Sequence, residues 1–279
     1  MTLLGAKLAV SIPDTVLEEK DSLREKTVKL GLIARACAIY GVDVIEVFRD
    51  AGGRGEGPLI RRVLEYLETP QYLRRRIFPL EEALKYAGAL PPLRIPSHKP
   101  KVPLAGLSPG DVREGVANGD GTVDVGLEAA PKLDVDTPRG RRITVKVVSV
   151  NPLVAEQVSR EKAGRYWGYL VEEKHPNGVL EDQRFRVKIA TSRLGTPLKE
   201  ALGPLKAVAG HADSVKVVFG SPARGLFDVF GKDLRKRVQF VVNLYPSQQV
   251  ETVRTEEAVF AALGLVSVIR AGGCRVIPP

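Results

Sequence analysis

The sequence contains few of the residues that build metal centres and disulfide frameworks. Among its 279 residues there are 2 cysteines and 3 histidines. Cys37 and Cys274 cannot form the several cross-links of a small secreted domain, and so few histidines leave no zinc-binding pattern. We therefore expect no metal and no disulfide framework.

Long uncharged apolar stretches are missing as well. No run reaches the roughly 18 to 20 residues that a membrane helix needs. The first residues, MTLLGAKLAVSIPD, lack a basic stretch followed by the apolar core of a signal peptide. We expect no contact with a membrane and a cytoplasmic location. The hydrophobic share of 44% is enough for one large or two modest packed domains.

Basic residues outnumber acidic ones, 42 to 33, which leaves a formal net charge of +9. A nucleic acid is the natural partner of such a chain, because each lysine or arginine that neutralises a phosphate releases a counterion. The alternative is a basic protein with ordinary solvated surfaces. Basic residues are concentrated in segments 59–76, 132–146 and 224–237, so they form local patches rather than one tail.

Hydrophobic patterning predicts an α/β fold. Apolar β-branched runs at 7–12 and 42–48 flank a helical pattern over 14–40 that ends at Gly41, and strand, helix, strand implies a parallel sheet. Further helices are predicted at 59–67 and within 77–87. In the second half the pattern predicts strands at 166–172, 185–190, 214–219 and 239–244, then a helix over 253–270 with Thr255 as its N-cap.

The middle of the chain has a different character. Prolines crowd segment 88–103, which is typical of a stiff connection between domains. Segment 112–150 then alternates short β-type stretches with the turn signals NGDG and TPRG, and no helical pattern falls inside it. Closely spaced strands of this kind fit a small barrel of the OB type, a shape that often holds single-stranded nucleic acid.

Three junctions between a strand and a loop stand out in the second half. They are KIATSRLGT (188–196), VVFGSPARGL (217–226) and VVNLYPSQQVETVRTEE (241–257), and each leaves a strand into small or hydrogen-bonding residues. In an open parallel sheet the ligand crevice lies beyond the carboxyl ends of the strands. We therefore expect these three loops to line one site.

Five stretches, taken in order, resemble the SPOUT class of RNA methyltransferases, and within it the archaeal and eukaryotic group of uridine-N3 methyltransferases with an OB-like insert. The resemblance covers essentially the whole chain. The stretches are KLGLIARACAIYGVDVIEV (29–47), YLRRRIFPLEEALKYAGALPPLR (72–94), AGRYWGYLV (163–171), IATSRLG (189–195) and QQVETVRTEEA (248–258).

The resemblance implies a SPOUT-type parallel sheet with a C-terminal trefoil knot and a homodimer. It also implies that backbone groups of the three loops hold a bent S-adenosylmethionine. Residues 1–88 and 161–279 would form the methyltransferase domain, and 89–160 an OB-like, RNA-binding insert. By position, the cofactor-binding residues are Thr191, Ser192, Gly195, Gly220, Asn243, Leu244, Tyr245, Gln248, Thr252 and Val253. Ser247 and Gln249 stand where relatives usually have glycine, which puts the path of the third loop in question.

Methylation of uracil at N3 requires loss of the N3 proton, so the site must stabilise an anionic base or supply a proton acceptor. Arg35 and Arg254 are candidates to stabilise the anion. Glu256 and Glu257 are candidates to accept the proton, and of the two we predict Glu257 as the catalytic residue. The alternative for the glutamates is ordinary stabilisation of the first helical turn. Arg35 lies in GLIARACAIYGV, which resembles the first motif of ribose-methylating SPOUT enzymes. Its alternative is a solvated or ion-paired helix residue.

The expected function is therefore S-adenosylmethionine-dependent methylation of uridine N3 in ribosomal RNA or another structured RNA. Two alternatives stay open: a non-catalytic RNA-binding or assembly protein on the same fold, and a ribose 2′-O-methyltransferase. His98, in the proline-rich connection, is expected to be exposed. The predicted RNA-binding residues are Arg74, Arg75, Arg76, Arg139, Arg141 and Arg142.

Overall fold

The computed structural model describes residues 7–17, 20–50 and 55–271, and they form two compact units. The first is an α/β unit, made of Tyr86–Pro91 and the described residues within Gly5–Glu65 and Tyr169–Pro279. The second is a β-rich unit, made of Tyr66–Lys85 and Pro92–Gly168. Cys274 lies outside the described residues.

Six parallel strands form the sheet of the α/β unit, which confirms the predicted α/β class. The strands are β1 (Lys7–Pro13), β2 (Val44–Phe48), β8 (Leu170–Lys174), β9 (Val187–Pro197), β10 (Ser214–Val218) and β11 (Phe240–Asn243). Their order across the sheet is β11-β9-β10-β1-β2-β8. Every residue of β2 and β10 is buried, as expected for a parallel sheet covered on both faces. The charges in these strands are paired, with 2.8 Å between Lys216 Nζ and Glu46 Oε2.

Eight α-helices fall in the described residues. They are α1 (Leu23–Ile39), α2 (Gly57–Glu68), α3 (Gln71–Ile77), α4 (Pro176–Glu181), α5 (Leu198–Ala209), α6 (Leu226–Phe230), α7 (Leu234–Arg237) and α8 (Thr255–Ala271). None of these helices is long and apolar enough to cross a membrane. Within the described part of the chain, no three His, Cys, Asp or Glu side chains are grouped so that they could hold a metal ion.

The ends of α1 follow from local chemistry. Ser22 Oγ accepts the Glu25 N–H at 3.3 Å, and the Glu25 carboxylate accepts the Ser22 N–H at 2.7 Å, which is a capping box. The helix therefore begins at Leu23, and the prediction that it starts at 14 was wrong. Its end is correct, since Gly41 adopts the left-handed φ of 68°.

Five short strands build the sheet of the β-rich unit. They are β3 (Val112–Ala117), β4 (Val123–Asp124), β5 (Lys132–Leu133), β6 (Arg142–Val150) and β7 (Leu153–Val158), in the order β4-β3-β6-β7-β5. A bridge from Thr122 to Lys132 brings the two edges together, so the sheet is nearly closed like a barrel. Its interior holds Val123, Val125, Ile143, Val145 and Ala155. No helix interrupts 112–150, as the alternating pattern predicted.

The limits of the β-rich unit differ from those of the predicted insert, 89–160. The unit also includes Tyr66–Lys85, with α3, and its second segment runs from Pro92 to Gly168. Tyr72 in this helix donates to the backbone oxygen of Glu114 in β3 at 2.8 Å, and Arg76 pairs with Asp124 in β4 at 2.9 Å. The helix predicted within 77–87 is wrong. Only short 3₁₀ turns occur there, at Glu82–Leu84 and Ala87–Ala89.

Candidate functional site

The first of the three predicted loops is a large bulge in β9. Ala190 pairs with Val241 of β11, whereas the next residue of β11, Val242, pairs with Thr196. Residues 191–195 are therefore pushed out of this ladder. The bulge closes tightly at Gly195, where an added Cβ would lie 2.6 Å from the carbonyl carbon of Val242. Only glycine permits this approach of two backbones.

The second loop, residues 219–225, folds back on itself after β10. Ser221 N–H donates to the Arg224 backbone oxygen at 2.9 Å, and Ser221 Oγ accepts the Arg224 N–H at 3.0 Å. Gly220 is required inside this turn, since its Cβ would lie 2.8 Å from the Arg224 oxygen. The Arg224 guanidinium bonds the buried carboxylate of Asp50 and donates to the Asp228 backbone oxygen at 3.0 Å. The loop is thus tied both to the end of β2 and to α6.

The third loop, residues 244–254, is tied to the first. Asn243 Nδ2 donates to the Arg193 backbone oxygen at 3.1 Å, and Asn243 Oδ1 accepts the Tyr245 N–H at 3.0 Å. Gln248 donates to the backbone oxygens of Val250 and Glu251 at 2.8 and 3.1 Å. These side chains hold the loop in shape by bonding to backbone groups.

The three loops surround one cavity of about 220 Å³, lined by most of the predicted cofactor residues. Thr191 and Ser192 of the first loop and Gly220 of the second line it. The third loop contributes Asn243, Leu244, Tyr245, Gln248, Thr252 and Val253. Gly195 does not line the cavity; it sets the spacing of the backbones behind it.

Several lining residues were missed by the sequence prediction. Phe227 and Asp228 reach the cavity from α6, and Thr255 and Ala258 reach it from the first turn of α8. The same signal would have found both pairs, since each lies in the helical turn that follows a lining loop.

Tyr245 joins the third loop to α8. Its hydroxyl donates to the Glu257 backbone oxygen at 3.2 Å. Burial raises the pKa of Tyr245, and the nearby charge of Glu257 raises this pKa further. The phenol therefore stays protonated at neutral pH and acts as a hydrogen-bond donor.

The start of α8 brings two predicted catalytic residues together. The Glu257 carboxylate accepts the Arg254 N–H at 2.9 Å, and Ala258 N–H donates to the Arg254 oxygen at 3.0 Å. Arg254 is therefore the N-cap residue, and the prediction of Thr255 as N-cap was wrong by one position. Thr255 Oγ1 instead donates to the Gly220 backbone oxygen at 3.3 Å, which links α8 to the second loop. Arg254 and Glu257 are exposed beside the cavity, and neither lines it.

Arg35 lies on the exposed side of α1. Val28, Leu32 and Ile39 are exposed by 46%, 43% and 53%, and with Arg35 they follow the three-to-four-residue spacing of one helix face. Arg35 therefore shares its helix face with three exposed apolar side chains.

Three of the predicted RNA-binding arginines are engaged inside the β-rich unit. Arg142 bonds the buried carboxylates of Glu68 and Glu114, each at 2.7 Å. Arg74 donates to the backbone oxygens of Leu67 and Thr69 at 3.1 and 2.9 Å. Arg76 pairs with Asp124, as described above. The donors of these side chains are largely occupied by the protein itself.

The other three, Arg75, Arg139 and Arg141, are exposed. Within the part of the chain that the structure describes, none of the three side chains has a hydrogen-bond or ion-pair partner. They are the predicted arginines best suited to contact phosphates.

His98 is not exposed as predicted. Its Nε2 bonds the Glu68 backbone oxygen at 2.8 Å, and burial lowers the pKa of His98 from 6.5 to about 4. The imidazole is therefore neutral at pH 7 and donates from Nε2, because a carbonyl oxygen only accepts.

Comparison with known proteins identifies close relatives along nearly the whole chain. A family described as "Putative RNA methyltransferase" matches residues 7–266. An uncharacterized protein of Halobacterium salinarum is 34% identical over 92% of this chain and 97% of its own length. The 28S rRNA (uridine-N(3))-methyltransferase of Homo sapiens is 30% identical over 95% of this chain and 79% of its own length. The mouse enzyme of the same name is 32% identical over 92% of this chain and 74% of its own length.

A solved structure was also matched. It is a probable methyltransferase from Bordetella pertussis, which is 10% identical with a TM-score of 0.41 and covers 97% of this chain and 99% of that chain. A score this low does not establish a shared fold.

Proposed function

Because this chain belongs to the RNA methyltransferase family, we propose that it transfers the methyl group of S-adenosylmethionine to N3 of a uridine in ribosomal RNA. The observation that carries the proposal is the cavity made by three loops, in a chain that matches two 28S rRNA (uridine-N(3))-methyltransferases over at least 92% of its length. Thr191, Gly220, Asn243 and Thr252, far apart in sequence, meet at this cavity.

The residues around the cavity fit the proposed methyl donor. Leu244, Phe219 and Phe227 supply apolar walls for the adenine ring, and the loops supply backbone groups for its polar atoms. The polar side chains Asn243 and Gln248 are occupied in shaping the third loop. When bound, S-adenosylmethionine supplies an electrophilic methyl group. The chain must then orient the target base and take up its proton.

Arg254, Glu257 and Arg35 are the residues that we propose for the base. Arg254 is exposed next to two lining residues, Val253 and Thr255, so its guanidinium is suited to stabilise a uracil anion. Glu257 is the proposed proton acceptor, although its bond to the Arg254 N–H also explains it as a helix cap. Arg35 would act at the target nucleotide.

A homodimer is the second part of the proposal. The stripe formed by Val28, Leu32 and Ile39 would be covered by a second copy of this chain, and Arg35 on the same face would then enter the shared interface. Sedimentation at micromolar concentrations checks this, and a monomer would contradict it.

We also propose that the C-terminal part of the α/β unit forms a trefoil knot, and that the barrel-like sheet is an OB-like, RNA-binding module.

The proposal is tested by incubating the protein with S-adenosylmethionine and ribosomal RNA that lacks the modification, then analysing nucleosides by mass spectrometry. We expect 3-methyluridine. A ribose-methylated nucleoside would favour the 2′-O alternative. Tight, salt-dependent RNA binding without any methyl incorporation would favour a non-catalytic assembly protein.

A further inference from the structure

One acidic side chain faces the cavity. Asp228, in the first turn of α6, is the single carboxylate among the described residues that line it. The other titratable lining side chains are Arg193 and Tyr245. The proposed methyl donor carries two ribose hydroxyls, an ammonium group, a sulfonium centre and a carboxylate. Its hydroxyl and ammonium groups are hydrogen-bond donors, and Asp228 is the one acidic side chain among the described lining residues that is available to accept from them.

The Asp228 carboxylate is held in a defined position. Its Oδ2 accepts the Gly225 N–H at 2.8 Å, and its backbone oxygen accepts from Arg224 at 3.0 Å. Among the residues that the structure describes, Oδ1 has no hydrogen-bond partner, and the side chain is exposed to solvent. One oxygen is therefore anchored to the loop while the other remains available to a ligand.

We propose that Asp228 recognises the methyl donor by accepting hydrogen bonds from its hydroxyl or ammonium groups. This inference rests on the proposed function, since it assigns a ligand contact within the same cavity. A hydrogen bond to a charged acceptor is stronger than one between neutral groups. Asp228 thereby determines the affinity for the methyl donor rather than the chemistry at the base.

A purely structural role for Asp228 makes a different prediction. Capping the Gly225 N–H needs only an acceptor oxygen, which the amide of asparagine also supplies. Asp228→Asn thus keeps the cap and removes the charge, whereas Asp228→Ala removes both. Asp228→Glu keeps the charge. Asp233→Asn is a matched control, because Asp233 is an exposed acid near α7 that does not line the cavity.

The experiment is calorimetric titration of S-adenosylmethionine and S-adenosylhomocysteine into each full-length variant, with urea unfolding in parallel. We expect Asp228→Asn to weaken both ligands by about tenfold or more, with unchanged unfolding. Asp228→Glu should retain more affinity than Asp228→Asn, and Asp233→Asn should match the original protein.

Other outcomes overturn the inference. An unchanged Kd together with an unchanged rate of methyl transfer in Asp228→Asn means that the carboxylate only caps α6. An unchanged Kd with lost turnover means that Asp228 acts on the proton of the base instead of the donor. If the unaltered protein itself binds neither ligand, the proposed function fails together with the inference, so the two failures are distinguishable.

Discussion

Around the cavity, the space left by neighbouring backbone atoms limits which side chain a position can carry. Gly195 is the clearest case, because the backbone of Val242 and Asn243 occupies the place where any Cβ would stand. The sequence comparison within the SPOUT resemblance placed Gly195 among the cofactor ligands. The structure instead gives Gly195 a steric role, because it fixes the distance between the bulge in β9 and the backbone that leads into the third loop.

We therefore expect Gly195→Ala to lower the free energy of unfolding by about 1–3 kcal/mol and to weaken S-adenosylmethionine binding. Urea denaturation and calorimetry measure the two effects. Gly203→Ala is the control, since nothing lies within 4 Å of the added Cβ and alanine is the better helix former in α5. A Gly195→Ala protein with original stability and affinity would contradict this account.

His98 makes the stability of the β-rich unit depend on pH. Above pH 6.5 the imidazole is neutral in both the folded and the unfolded chain. Below that pH the unfolded chain binds a proton, and the folded chain does so only near pH 4. Stability is therefore lost as the pH falls from 6.5 towards 4.

We expect His98 to account for at most about 2 kcal/mol of stability lost between pH 7 and pH 5. Carboxylates contribute to the same trend, so the measurement is the difference between the original protein and His98→Gln in urea unfolding at both pH values. Glutamine can still donate to the Glu68 oxygen, and it does not titrate. Equal pH dependence in the two proteins would show that His98 titrates normally.

At the scale of elements, the first turn of α8 decides how Glu257 can act. Its carboxylate already accepts the Arg254 N–H, which favours the structural alternative that the sequence left open. Substitution by glutamine keeps an acceptor for this N–H and removes the ability to take a proton, whereas alanine removes both.

We expect Glu257→Gln to keep the stability of the protein and to lower kcat strongly at unchanged affinity for S-adenosylmethionine, whereas Glu257→Ala should also lose about 0.5–1 kcal/mol of stability. Methyl incorporation across a pH series measures the first effect, and thermal unfolding the second. If Glu257→Gln turns over at the original rate, Glu257 is a helix cap and nothing more.

The bulge in β9 was only partly predicted from the sequence. Local patterning predicted a strand at 185–190 and a loop after it, and the pairing with β11 resumes at Thr196. The alternation of apolar and polar residues predicts neither the length of the bulge nor the position where pairing with β11 resumes. Both depend on a strand some fifty residues away in the chain.

At the scale of the whole molecule, folding gives the arginines of the β-rich unit different roles. The six predicted RNA-binding arginines looked equivalent in sequence. In the folded chain, Arg142 is an internal partner of Glu68 and Glu114, while Arg139 and Arg141 face solvent.

The double substitution Arg139→Gln, Arg141→Gln should weaken RNA binding and reduce the slope of log K against log salt by about 2 if each arginine contacts one phosphate. S-adenosylmethionine affinity should not change. Lys85→Gln, Lys199→Gln is the control that removes the same charge, since both lysines are exposed and lie outside the basic segments 59–76, 132–146 and 224–237. An unaltered salt slope would exclude these arginines from the RNA interface.

The sequence by itself determined the α/β class, the β-only character of 112–150 and the three loops that line one cavity. These features are encoded by short patterns: alternation, helical spacing, and small residues that follow strands. The start of α1 was missed although Ser22 and Glu25 stand at the spacing of a capping box, a signal that the sequence does carry. The absence of a helix within 77–87 was missed because a helical spacing of apolar residues does not distinguish an α-helix from short 3₁₀ turns.

The tertiary structure alone decided which polar groups remain available to a ligand. Arg142 and His98 carry chemistry suited to RNA or catalysis, yet each is bonded to another part of its own unit. Asp228, which the sequence did not single out, lines the cavity and keeps one carboxylate oxygen without a hydrogen-bond partner among the described residues. The physical reason is that residues distant in sequence decide which polar groups become buried. A buried polar or charged group is stable only when it is hydrogen-bonded or paired within the protein, and its bonds are then not available to a ligand.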